Sequence, residues 1–212
     1  MNALNKLISI GGDALGPTIL SDALGISTKF GLLGEQLFAL LKNKNGFYAF
    51  EAALHIFPIS ENIVAPQGLA EWNEKVCWKS AYGGLLPDSL LCFAEDIFGG
   101  QFCILDGEII RLDPETAGIK SIASTLDAWS GYILDNYEVE TGYPLAHSWQ
   151  LANGSLEPGK RLLPKKPFVI GGPFTTANLF PMNAASGMRL RGEIAQQIAN
   201  LPDGTEIEIE YC

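Results

Sequence analysis

Two hundred and twelve residues, 47% hydrophobic and 18% charged, suffice for one large domain, and a core burying about 70% of the unfolded surface needs no metal or disulfide to staple it. No apolar run reaches the roughly 18 residues of a membrane span, and the first ten residues carry too short an apolar stretch for a secretory signal. The net charge of −10 falls mainly in the middle, where residues 95–140 set ten acids against only Arg111 and Lys120; such a chain repels phosphate backbones, so nucleic acid is excluded as the expected partner.

Residues 1–32 are weakly periodic, and Gly11-Gly12, Gly16-Pro17, Gly25 and Gly31 break any long helix there. Leu33, Leu37, Phe38, Leu40 and Leu41 then make one apolar face, predicting a helix over residues 33–44 that Asn45-Gly46 stops. Residues 47–57 read as an entry strand or packed turn ending at Pro58. Residues 67–82 read as a second helix, with Leu69, Trp72, Val76 and Lys79 or Ser80 on one side.

The period then changes. Residues 89–94, 101–105, 108–112 and 118–123 are four short strand candidates, with Asp106-Gly107 as a hairpin signal between two of them. Such short links predict an antiparallel meander. Ser124 or Thr125 caps a helix to about residue 137 that faces Leu126, Trp129, Ile133 and Leu134 inward. Further on, residues 141–152 read as a helix, 157–167 as a Pro-rich loop, 185–200 as a helix and 205–211 as a half-buried strand. This order predicts an α+β fold, a central and mostly antiparallel sheet with helices packed against it over residues 1–140. Residues 141–212 form a C-terminal α/β extension packed on the same domain.

Enzyme motifs are missing from the sequence. There is no G-x-S-x-G elbow, no G-x-x-x-x-G-K-[ST] loop and no G-x-G-x-x-G after a strand. His55 and His147 lie far apart, and neither has a second ligand at metal-binding spacing. Glu95-Asp96 and the Asp106, Glu108 pair read as turn formers and solvated edges rather than a carboxylate dyad. Cys77, Cys92, Cys103 and Cys212 contain no Cys-x-x-Cys, and nothing selects one of the three possible pairings. Reduced thiols and a cytoplasmic location are expected. No catalytic residue, metal or cofactor is predicted.

One stretch carries a resemblance. Residues 92–105, then Arg111-Leu-Asp-Pro-Glu-Thr116, then Ile122-Ala-Ser-Thr-Leu-Asp-Ala-Trp129 resemble the SUKH superfamily, which includes fungal cell-wall assembly regulators, the bacterial Syd protein and many bacterial immunity proteins. Asp96, Phe98, Gly99, Phe102, Asp113, Ala123 and Trp129 fill the places of the family's signature: an acidic strand, an aromatic-Gly turn, a paired strand, an Asp-bearing hairpin and a capped helix with an aromatic. Asn45-Gly46 and His55-Ile-Phe-Pro58 are similar to its upstream features. The resemblance spans residues 30–137. It departs where the family commonly has Leu-Pro and this chain has Leu32-Leu33-Gly34-Glu35.

The resemblance implies a SUKH-like sheet, no catalysis, and binding to a protein partner; many bacterial relatives neutralise toxins, often nucleases. An acidic chain would steer a basic toxin of that kind. Glu95, Asp96, Asp106, Glu108 and Asp113 are the candidate partner-binding residues. The alternatives are a regulatory or scaffold protein that binds a host protein or small ligand, and a carboxylate-dependent hydrolase. Lys160, Arg161, Lys165 and Lys166 compete with the interface reading, because they can neutralise the acidic segment from within the same chain.

Overall fold

The computed structural model describes residues 2–59, 68–202 and 204–205. Within them the predicted α+β order is present. The helices are α1 (Ala3–Ile10), α2 (Ile26–Asn43), α3 (Leu69–Asn73), α4 (Leu126–Glu140), α5 (Tyr143–Asn153) and α6 (Ala184–Ile198). The strands are β1 (Phe47–Ala49), β2 (Leu54–Ile56), β3 (Leu91–Asp96), β4 (Gln101–Leu105), β5 (Glu108–Leu112), β6 (Ile119–Ala123), β7 (Lys160–Pro164) and β8 (Leu179–Asn183). β1 to β6 form one sheet in chain order, every neighbour antiparallel, and among the described residues β7 pairs only with β8. The meander therefore has two more strands than expected, both drawn from residues 47–57.

Those two strands are joined by an unusual turn. Phe50, Glu51 and Ala52 all take left-handed backbone angles, with φ of 53°, 53° and 69°. L-residues resist that region because Cβ crowds the carbonyl. Helix α5 clamps the turn from outside: Gln150 donates to the Glu51 carbonyl at 2.9 Å, and His147 Nδ1 lies 2.8 Å from the Glu51 carboxylate. The β4–β5 turn is ordinary by comparison, with Asp106 and Gly107 both at positive φ as an Asp-Gly hairpin requires.

Both faces of the sheet are covered. On one, Thr125 caps α4 by accepting from the Ala128 amide at 3.1 Å, and Trp129 packs edge-on against Phe93 and Phe102. On the other lie α3, Trp72 and Trp78. The helix expected over residues 67–82 is broken after Asn73, which leaves Val76 79% exposed. Two indoles six residues apart would point to different sides of a continuous helix. Breaking it brings their rings to 5.6 Å and gives the Trp72 carbonyl to Trp78 Nε1 at 2.8 Å, removing the acceptor that Val76 would use.

Two other boundaries move. Helix α2 starts at Ile26 rather than residue 33, because Asp22 accepts from the Ile26 and Ser27 amides and a kink at Gly31, φ 54°, lets the helix continue. The expected loop over residues 157–167 contains β7. The strand expected over residues 205–211 lies, apart from Thr205, outside the described residues.

Asn45 explains why the chain turns after α2. It is buried, donates to the carbonyls of Pro17 and Ile59 at 2.7 Å each, and accepts from the Ile59 amide at 2.8 Å. Gly46 beside it packs so closely on Pro58 that a Cβ would lie 2.6 Å from the Pro58 nitrogen. The sheet's two edges differ. The β1 side is covered, with Gly12 donating to the Tyr48 carbonyl at 2.8 Å and Leu15 to the Gly46 carbonyl at 3.0 Å. Among the described residues β6 has no strand beyond it, and Ile119, Lys120 and Ser121 are exposed.

A large core fills the sheet's faces, and a smaller one joins Ala53, Ile97, Ala146, Trp149, Leu156, Leu162 and Leu179. The smaller core carries residues 141–183 against the turns at one end of the sheet. Relief of strain at the β1–β2 turn is testable. Ala52→Gly is expected to stabilise the protein by about 1 kcal/mol, read as a higher urea midpoint with an unchanged slope.

Candidate functional site

The sheet register puts four polar side chains in one row. Tyr48, His55, Glu95 and Gln101 stand directly opposite one another across β1, β2, β3 and β4. His55, Glu95 and Gln101 are buried, so their partners must come from the protein. Gln101 accepts from Trp72 Nε1 at 2.7 Å and donates to the Gly99 carbonyl at 2.8 Å. The His55 ring stacks on Tyr48 at 4.4 Å, and its Nδ1 lies 3.1 Å from Glu95 Oε1.

The row's charge is balanced from a distant segment. Arg161 in β7 is 1% exposed, and its Nε lies 2.8 Å from Glu95 Oε1, out of line for a hydrogen bond but in ion-pair contact. The same guanidinium sits 5.5 Å over the Tyr48 ring. Burial opposes ionisation of Glu95, yet the adjacent Arg161 charge and the His55 and Gln101 hydrogen bonds hold its carboxyl below the ordinary value. His55 behaves oppositely. Burial outweighs its bond to Glu95 and pushes it down to about 4, so the ring is neutral at pH 7 and Nδ1–H donates to Glu95.

A second constellation holds the β3–β4 turn. Asp96 is buried, accepts from the Phe98 and Gly100 amides at 2.8 and 2.7 Å, and pairs with Arg111. Arg111 lies 4.5 Å over the Phe102 ring. Although burial disfavours its charge, Asp96 keeps Arg111 above its ordinary value. On the far side Arg191 of α6 donates to the Phe98 carbonyl, tying the turn to the C-terminal helix.

These facts divide the five candidate contact residues. Glu95 and Asp96 are corrected, because both are buried in a strand that lies between other strands with both faces covered. Their carboxylates are spent on internal partners, Glu95 on His55 and Arg161, Asp96 on Arg111 and two backbone amides. Asp106, Glu108 and Asp113 are exposed. They are not one cluster, since Asp106 lies in the β4–β5 turn, Glu108 begins β5 and Asp113 follows its end, about 17 Å from Glu108 at strand rise. Asp113 also has a local duty, accepting from the Glu115 amide at 2.7 Å.

Sequence reasoning placed Arg161 among four basic residues able to neutralise the acidic segment from within the chain, but did not single it out as the partner of Glu95. The signal was present on both sides: an acid inside the unalternating run Leu91–Asp96 needs a partner, and Arg-Leu-Leu between Gly159 and Pro164 reads as a short buried strand. Elsewhere, His147 does not approach His55 but pairs with Glu51 at the surface. Among the described residues no three His, Cys, Asp or Glu side chains gather as a metal site. Cys77, Cys92 and Cys103 are free thiols, the last two facing each other across β3 and β4 at 2.9 Å. No helix among the described residues is long and apolar enough to cross a membrane.

Residues 26–131 match the model of the SMI1 / KNR4 family (SUKH-1), half of the chain. The chain belongs to that family. The SUKH-1 match begins with α2 and ends within α4, so it includes Glu95 and Asp96 but not Arg161 or Arg191. A solved crystal structure, Atu4351 from Agrobacterium tumefaciens, is similar with a TM-score of 0.59, covering 89% of this chain and 87% of that one. At 15% identity the likeness shows the fold alone, and it extends beyond the SUKH-1 segment into the C-terminal third. No curated protein matches by sequence.

Two outcomes follow from the buried row. Arg161→Met leaves the Glu95 charge uncompensated and is expected to destabilise the fold by about 3–5 kcal/mol, with partial recovery when Glu95→Gln is added, read from urea midpoints. Stability should also fall with acid. Unfolded histidine takes a proton near pH 6.5 while folded His55 resists to about 4, so stability is full above pH 6.5 and falls towards pH 4 by roughly 3 kcal/mol. His55→Gln should flatten that part of the pH–stability curve; an unchanged curve would refute the assignment.

Proposed function

We propose that this SUKH-1 protein is a non-catalytic binding module that neutralises a basic protein partner, an immunity protein whose target is a nuclease-type toxin. The observation that carries the reading is the charge left on the surface after the internal pairs are removed. Asp106, Glu108, Asp113, Asp127, Asp135 and Glu138 are exposed, against Lys120 as the exposed cation of residues 95–140. Family membership supports a binding role, since the SUKH domain occurs in immunity proteins.

Charge of one sign on a rigid sheet end raises the encounter rate with a basic surface and gives binding a strong salt dependence. Asp106 and Glu108 project from a tight hairpin, and Asp127 stands at the same end, in the first turn of α4 after β6. This end is the proposed contact. Asp113, at the opposite end of β5, contributes to the long-range field rather than to the same footprint. The unbridged thiols support action in a reducing cytoplasm.

The test is affinity capture from source-cell lysate with the full chain and with an Asp106→Asn, Glu108→Gln, Asp113→Asn variant. These replacements keep the turn acceptors, and Asn tolerates the left-handed position at 106. The expected result is a basic protein, identified by mass, that leaves at high salt and associates about tenfold more slowly with the variant. Equal association by the variant, or no protein retained at low salt, would overturn the proposal.

A further inference from the structure

At the end of the sheet opposite the Asp106 hairpin, an open cleft of about 520 Å³ lies between the β3–β4 turn, the β5–β6 turn, residues 168–174 and α6. Its size falls within the range of small-molecule sites. Phe98, Phe168 and Phe174 wall it, with Phe168 and Phe174 stacked at 4.0 Å and Phe98 edge-on to Phe168 at 5.5 Å. Its polar lining is Arg111 and Arg191 together with Asp96, Asp113, Glu115 and Thr116; Asp96 is spent on Arg111 and on backbone amides, and Asp113 accepts from the Glu115 amide.

The polar groups are incompletely satisfied. Arg191 is 2% exposed, donates only to the carbonyls of Gly187 and Phe98, and has no carboxylate at ion-pair distance among the described residues. Its Nη2 lacks a partner, as do Arg111 Nη1 and Glu115 Oε1. A buried guanidinium without a counter-charge is costly, and natural folds retain such groups chiefly where something else supplies the charge. Glu115 is close enough for Arg191 to act on it electrostatically, but the two make no ion pair. Its Oε2 is committed to the Val169 amide at 2.8 Å, and burial raises its carboxyl above the ordinary value against the opposing effects of Val169 and Arg191. Arg111 is already balanced by Asp96.

We propose that this cleft binds a small carboxylate with an aromatic or alkyl body. The carboxylate answers the unpaired donors of Arg191 and Arg111, whose planar forks suit two-oxygen acceptors, and the body lies on Phe168 and Phe174. The proposal stands apart from the protein-partner reading, since it uses the end of the sheet opposite the Asp106 hairpin; Asp113, a lining residue here, is the one residue common to both.

The full chain, labelled with nitrogen-15, is titrated with 3-phenylpropanoate, the neutral 3-phenylpropanamide and the cationic 3-phenylpropylamine. The expected result is saturable shifts at the Gly99, Gly100, Val169 and Phe174 amides with the carboxylate, about tenfold weaker binding of the amide, and none of the amine. Phe174 is 64% exposed, so Phe174→Ala should fold normally and weaken the carboxylate about fivefold. Glu115→Gln, which keeps an acceptor for Val169 while deleting a competing negative charge, should tighten it. Absence of saturable shifts, equal response to carboxylate and amide, or unchanged binding in Phe174→Ala overturns the proposal, and binding of the amine alone would make the cleft a cation cage instead.

Discussion

The contact between Arg161 and Glu95 is the constraint on which the rest of the structure depends. Glu95 lies in β3 with strands on both sides and helices or ribbon over both faces, where an unpaired carboxylate would not survive ionised. Arg161 comes from a segment 66 positions later, so the cation arrives only when β7 docks on the sheet. The Leu162 amide then bonds the Ile97 carbonyl at 2.9 Å, and Leu162 completes the smaller core with Ile97 and Trp149. The C-terminal third is thus fastened by charge, by backbone and by apolar packing at one place, next to the turn that Asp96 and Arg191 hold from either side.

What the sequence revealed follows from how local each signal is. The Asp-Gly turn, the meander over residues 101–123 and the Thr125-capped helix with Trp129 inward were legible, because each is set within about ten residues. The broken helix at residues 74–78 was not, since its cause is two indoles sharing one core, and helical periodicity carries no term for that. β7 was hidden by its prolines, which lie at the strand's end and in the following turn rather than in its interior. The bulge between Cys92 and Ala94 shifts the β3 alternation, so face assignments made by counting residues fail there.

The acidic middle of the chain shows the same divide in chemical form. Composition registers Glu95, Asp96 and Glu115 as surface charge, yet each is internal and serves backbone or guanidinium partners. The residues that carry the SUKH likeness, including Asn45-Gly46, Asp96, Phe102 and Trp129, are those that close turns and fill the core. That division explains how members of one family can share this scaffold while presenting different surfaces. The signature fixes the frame, and contact residues lie where the frame imposes no demand.

The unequal edges of the sheet have a consequence for self-association. A strand edge with free amides and carbonyls is a template, and a sheet open on both sides can propagate without limit. Here the β1 side is spent on residues 12–16, leaving β6 as the free edge among the described residues. Two copies meeting edge to edge would each consume that open side and stop, a closed twofold pair with no free edge left on the six-stranded sheet among the described residues. The exposed Lys120 on β6 opposes even that encounter by like-charge repulsion. The short N-terminal segment laid along β1 therefore acts as a chain terminator for polymerisation as well as a cover for the core.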